Sequence, residues 1–164
     1  MINVVVDDLA LTQADAVIRP ADENLGPISP ATALLDDRAG PRFAQQRRVS
    51  SALKAGSAVV TGSGDLAAPF VLHVVIQDSD IQPGREVVRR ALVSAWQRAT
   101  DWELGIIATP LIGADSGQLS VEESATLLAE TFPAATVGCP KELRIVVDRD
   151  ADRILVEATL RRIA

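Results

Sequence analysis

Residues 107–123, IATPLIGADSGQLSVEE, run from an apolar strand through a small loop into a helix that begins near Ser120. That order suits phosphate. Glycines let an anion approach the main chain, and a helix start offers unpaired N–H groups at the positive end of a dipole. Gly113-Ala114-Asp115-Ser116-Gly117 nevertheless carries an acid at its centre. A carboxylate about 5 Å from a phosphate opposes binding by roughly 3 kcal/mol at an effective dielectric near 20, and by less if it rotates into solvent. His73, the only histidine, falls inside the apolar run 70–76, where a hydrogen-bonded core or edge residue is favoured over a catalytic base. Gly62-Ser63-Gly64 reads equally as a phosphate contact or a tight turn between strands.

The elements that must position these residues follow from composition and pattern. The chain has 164 residues, enough for one substantial core, and we expect a single domain over 1–164. It is 48% hydrophobic but only 3% aromatic, so Val, Ile, Leu and Ala should fill the interior, as in sheets covered by helices. Sixteen Lys+Arg against 22 Asp+Glu give a net charge of −6, which argues against a broad grip on nucleic acid. The pairs Arg47-Arg48, Arg89-Arg90 and Arg161-Arg162 read as solvated faces. The single cysteine, Cys139, excludes an intramolecular disulfide and any multi-cysteine metal site. With no targeting pattern and no apolar run of membrane length, the expected location is the cytoplasm, with no membrane partner.

Strands are expected at 2–6, 15–18, 58–61, 70–76, 104–108 and 143–147. Ser29-Pro30 should open a helix over 31–38 that stops at Gly40, with another turn or two at 43–48. Val87, Val88, Ala91, Leu92, Ala95, Trp96 and Ala99 recur at helical spacing and predict a helix over 85–102. Ser120-Val121-Glu122-Glu123 has capping-box form before a helix ending near Phe132. The tail 150–163 fits a helical stripe, although residues 154–156 would also suit a strand. Strands alternating with helices specify a layered α/β domain.

Several ordered matches make the chain similar to the macro domain, an ADP-ribose-binding module. They are Asp8-Leu9 after the first strand, Asp15-Ala16-Val17-Ile18-Arg19-Pro20-Ala21-Asp22 against the family's Asp-Ala-Ile-Val-Asn-Ala-Ala-Asn, Gly56 to Thr61 followed by Leu66, His73, and Ile107-Ala108-Thr109-Pro110 before the glycine loop. The resemblance covers nearly the whole chain. It implies a three-layer αβα fold with a six-stranded mixed sheet, and a cleft near Asp8, Leu9, Asp22 and Gly113, Ala114, Asp115, Ser116 and Gly117.

By this resemblance Asp8 would accept from the adenine amino group, although Asp7 and Asp8 also read as turn formers. Asp22 takes the place of the asparagine that orients the distal ribose, and becomes the candidate catalytic residue, able to act as a base but not to donate as an amide does. Arg19 replaces the other asparagine. Where the family has its first glycine-rich phosphate loop, this chain has Gly26-Pro27-Ile28-Ser29-Pro30, and proline has no N–H to offer. Asp115 replaces a glycine that lies against the diphosphate. Asp22 and Asp115 on separate loops make a weak case for a cation, so neither a metal nor a cofactor is assigned. The expected partner is ADP-ribose or a related nucleotide, with little or no hydrolysis of ADP-ribosyl esters or ADP-ribosylated protein. The alternative is a degenerate macro fold that has lost ADP-ribose and serves as a protein-interaction module or takes another small molecule.

Overall fold

The computed structural model describes residues 1–134 and 138–164. Its strands are β1 (Ile2–Val6), β2 (Ala16–Asp22), β3 (Ala58–Gly62), β4 (Phe70–Gln77), β5 (Ile106–Thr109) and β6 (Glu142–Val147). They form one six-stranded sheet in the order β1-β6-β5-β2-β4-β3. All neighbours are parallel except β3 and β4, so the sheet is mixed as expected. The helices are α1 (Pro30–Ala39), α2 (Pro41–Gln46), α3 (Arg85–Asp101), α4 (Val121–Thr131) and α5 (Asp150–Ile163).

The two-residue period of the strands divides the core. Ala16, Ile18, Leu72, Val74, Leu143 and Ile145 join a large apolar cluster with residues of α3, α4 and α5. Val17, Val71, Ala108 and Val146 face the other way, against Leu35, Ala39 and Phe43 of α1 and α2. The buried face of α3 consists of the seven residues whose spacing marked it: Val87, Val88, Ala91, Leu92, Ala95, Trp96 and Ala99.

Local chemistry sets the helix ends. Ser29 caps α1, its hydroxyl accepting from Thr32 N at 3.2 Å, and Pro30 begins the helix. Gly40, at φ 83°, ends it, its N–H donating to Asp36 and Asp37 carbonyls. Ser120 and Glu123 make the full capping box of α4. The tail is a helix, with Asp150 and Asp152 in its first turn, Arg161 and Arg162 in its last, and Arg153 bridging Asp150 and Glu157 at 2.7 Å.

β2 is longer than the sequence pattern suggested and runs through Pro20. Its pairing with β5 covers only Ala16 and Val17, so the proline falls where β2 has left that neighbour and keeps β4 alone. β5 begins at Ile106 because Leu104 still belongs to the end of α3: Glu103 turns left-handed at φ 54° and Leu104 N donates to Ala99 O. Among the described residues no helix is long and apolar enough to cross a membrane.

Candidate functional site

β1, β6, β5 and β2 are parallel neighbours, so their carboxyl ends open on one side of the sheet. The turn after β1, the β5–α4 loop, the β6–α5 joint and the start of α1 surround a cleft of about 640 Å³ there. Such strand ends are where open α/β sheets carry their ligands. Asp8, Leu9, Gly113, Ala114, Asp115 and Ser116 all line it. Asp22 and Gly117 are not part of the lining. Sequence reasoning missed Arg38, Asp148 and Arg149, which also line the cleft and have no motif to mark them.

Asp8 is already engaged. One carboxylate oxygen accepts from Ala10 N at 3.0 Å and the other from Arg38 Nη1 at 2.8 Å, across to α1. A ligand that takes Asp8 must share it with, or part it from, Arg38, and both side chains are solvent-exposed, so the separation is inexpensive.

The β5–α4 loop is built around Gly113, at φ 86°, whose carbonyl accepts from Gln118 N and Leu119 N at 3.0 Å. A Cβ there would come within 3.1 Å of Leu119, so both conformation and space call for glycine. Gly117, at φ 77°, closes the turn, its N–H donating to Ala114 O at 3.2 Å. The N–H groups of Ala114, Gly117, Gln118 and Leu119 are bonded within the loop, the capping box of α4 occupies Glu123 N with Ser120 Oγ, and Asp115 stands on the rim. Burial of part of its carboxyl raises the Asp115 pKa, and Asp148 across the cleft raises it further. Arg149 is held only loosely, 3.3 Å from Asp152, and is three-quarters exposed.

Asp22 is turned into its own loop. Its Oδ1 accepts from Asn24 N at 2.9 Å and Gly26 N at 2.8 Å, the turn-forming use of an aspartate. Gly26 leaves room for this carboxylate, which a Cβ would meet at 2.8 Å and push aside.

Behind this loop, on the α1–α2 face, lies a polar cluster. The fully buried Arg19 donates through Nε and Nη2 to the two carboxylate oxygens of Asp36, each at 2.7 Å, and through Nη1 to Leu25 O at 2.9 Å. Nη1 also faces His73 Nδ1 at 3.2 Å. A guanidinium can only donate, so Nδ1 accepts, and the proton sits on Nε2, which donates to Thr61 Oγ1 at 2.7 Å. Thr61 in turn donates to Gly62 O. Burial, then Arg19 and Arg47, hold the His73 pKa well below its ordinary value, so the ring is neutral. Phe43 stacks on that ring, with Arg19 and Arg47 each 5.6 Å from the phenyl centroid. His73 is therefore a hydrogen-bonded core residue. The signal for the cluster was an arginine inside the apolar run of β2, but its acid lies 17 residues on, at no telling spacing.

Gly62-Ser63-Gly64 is a turn packed on α1 and α2. Gly64 N donates to Gln46 Oε1 at 2.8 Å, and a Cβ on Gly64 would collide with Ala39 O. Among the described residues no group of three or more His, Cys, Asp and Glu is placed to hold a metal ion.

Residues 20–128 match the family model of the macro domain. The chain belongs to the macro domain family. It is 29% identical over 159 residues to an uncharacterized protein of Aquifex aeolicus, a match covering 96% of this chain and 94% of the relative. It is 23% identical over 158 residues to a macro domain-containing protein of Caldanaerobacter subterraneus subsp. tengcongensis, covering 92% and 90%. Among solved structures, the Trypanosoma brucei macrodomain in complex with ADP-ribose superposes with a TM-score of 0.83 at 16% identity, over 97% of this chain and 68% of that one. A mutant of the Oceanobacillus iheyensis macrodomain with ADPR gives 0.80 at 17% identity, over 98% and 91%.

Proposed function

We propose that the chain binds ADP-ribose or a related nucleotide in the cleft at the strand ends, with weak or no hydrolase activity. The observation that carries this reading is the convergence of Asp8, Leu9 and Gly113 to Ser116 on one cleft of about 640 Å³, a volume suited to a ligand of that size. Asp8 marks the end that would receive the base, and the β5–α4 loop the end that would receive phosphate. The solved relatives in complex with ADP-ribose and with ADP support the ligand class.

Weak hydrolysis follows from what Asp22 does. A general base must reach the proton it removes, and this carboxylate lies outside the cleft lining with its Oδ1 committed to Asn24 N and Gly26 N. Pro27 and Pro30 take N–H donors away from the preceding loop, removing positioning and oxyanion-type contacts that each contribute several kcal/mol in enzymes. One observation favours a second reading, in which the cleft has lost diphosphate and takes a neutral or cationic molecule or a protein segment: Asp115 and Asp148 bring like charge to the phosphate end.

A thermal-shift panel of ADP-ribose, AMP, NAD and polyamines separates the two. A ligand at 100 times its dissociation constant stabilises by about 2.7 kcal/mol. Stabilisation by ADP-ribose with none by polyamines is the expected result; the reverse sinks the nucleotide reading.

A further inference from the structure

We propose that Arg19 is the positioning residue of the β2–α1 loop, setting one wall of the cleft before any ligand arrives through a guanidinium that does not itself line the cleft. That loop delivers Ile28 and Ser29 to the lining, and α1 directly behind it adds Ala31, Thr32 and Leu34. The N–H groups of Asn24, Leu25 and Gly26 close the loop's own turn on Asp22, but none of them ties it to α1 or to the body of the sheet, and Pro27 and Pro30 have no N–H to do so. Leu25 within it sits at φ 58°, the left-handed region that a branched side chain keeps only when its surroundings overdetermine it.

The surroundings do so twice. The Leu25 side chain is 1% exposed in the large core, and its carbonyl accepts from Arg19 Nη1 at 2.9 Å and from Arg47 Nη1 at 3.0 Å. The other edge of the Arg19 fork grips Asp36 of α1 through both carboxylate oxygens. One planar group therefore fixes the loop against the helix and both against β2. An ammonium cannot repeat this, because it lacks the rigid fork. A wall held in this way does not have to be ordered when a ligand binds, which offsets part of the donor set that the prolines removed.

A simple folding staple would behave differently. Weakening it would loosen the loop and the sheet together and leave the affinity of the folded protein unchanged. The test is amide hydrogen exchange on the free full-length protein, with ADP-ribose calorimetry at a temperature where every variant is folded. In Arg19→Lys we expect amides of residues 23–29 to exchange at least about tenfold faster while residues 71–76 of β4 keep their protection. ADP-ribose binding should weaken by about tenfold. Arg47→Gln, which removes the other donor to Leu25 O and the longer 3.6 Å pair with Asp36 but leaves the Arg19 fork in place, should change both readouts in the same direction and by less. It decides the matter alone should Arg19→Lys not fold. Loop protection unchanged, loop and β4 loosening in step, or a loosened loop with full affinity each overturns the proposal. The affinity arm rests on the nucleotide-binding reading; if the wild type fails to bind ADP-ribose, that reading falls while the exchange pattern still decides whether Arg19 positions the loop.

Discussion

Asp36, on α1, and Asp115, on the cleft rim, are both carboxylates, and their surroundings are opposite. Asp36 meets the Arg19 fork at 2.7 Å on each oxygen, with Arg47 at 3.6 Å. Asp115 has a like charge, Asp148, as its electrostatic neighbour and a pKa raised by burial. A buried charge costs several kcal/mol to desolvate and persists only where partners return that energy. The Arg19 cluster returns it within the fold. At the cleft, Asp115 is reached by solvent and carries no such partner among the described residues, only a pKa raised by partial burial and by Asp148, and perturbed titratable groups in clefts are candidates for function. The Arg19 cluster is thus scaffold, and the open cleft lies at the strand ends, where α1 helps to line it.

The largest expected effect comes from breaking the satisfied side. Arg19→Ala leaves Asp36 buried without its fork and should cost about 3–5 kcal/mol in urea denaturation. A cost below about 1 kcal/mol would show that the cluster is not what holds α1 to β2.

The same cluster gives a pH dependence of stability. The folded-state pKa of His73 is depressed, whereas in the unfolded chain the ring takes a proton near the ordinary histidine value of about 6.5. Below that pH the unfolded state binds more protons, so stability should fall as pH drops through about 6.5 and go on falling toward the folded pKa. A midpoint of denaturation flat from pH 7 to 5 would contradict the buried neutral ring.

On the unsatisfied side, Asp115→Gly should tighten ADP-ribose binding. Since Asp115 is exposed at the rim, screening reduces the bare repulsion, and the expected gain is about tenfold, roughly 1.4 kcal/mol, by calorimetry at matched salt. Asp115→Asn should recover less, because a side chain remains over the loop. Wild-type affinity should rise as pH falls through the raised Asp115 pKa, toward the ordinary carboxylate range, and this rise should vanish in Asp115→Asn. Weaker binding by Asp115→Gly would mean that the acid serves the ligand.

The smallest change tests the joint between the two regions. Ser29 caps α1 and also lines the cleft. Ser29→Ala should cost about 1 kcal/mol of stability. If affinity falls by more than about threefold as well, the hydroxyl touches ligand.

Much of this was legible before any coordinates. The buried face of α3, the Ser29 and Ser120 caps, the Gly40 stop and the glycines at 113 and 117 are local matters of spacing, a hydroxyl or a positive φ, and the amino acids name them directly. The ordered motifs placed Asp8 and Asp115 at the same end of a mixed sheet. What could not be read was how each acid is used. Asp22 has the motif position of a ribose contact, but its carboxylate turns back to Asn24 and Gly26 because Gly26 leaves room for it there. His73 and Arg19 looked like separate oddities in two apolar strands until the pairing of β2 with β4 set them opposite each other.

The sequence by itself determined the layered α/β plan, the order of the elements and the loops that would surround a ligand, since these follow from local propensity and from the period of apolar residues. Tertiary structure alone decided which charges are paid for. The fork of Arg19 on Asp36, the engagement of Asp8 by Arg38 and the approach of Asp148 to Asp115 join residues from different elements, at separations with no periodicity. Electrostatic energy depends on distance and burial in space, and neither is written in the spacing of residues along the chain.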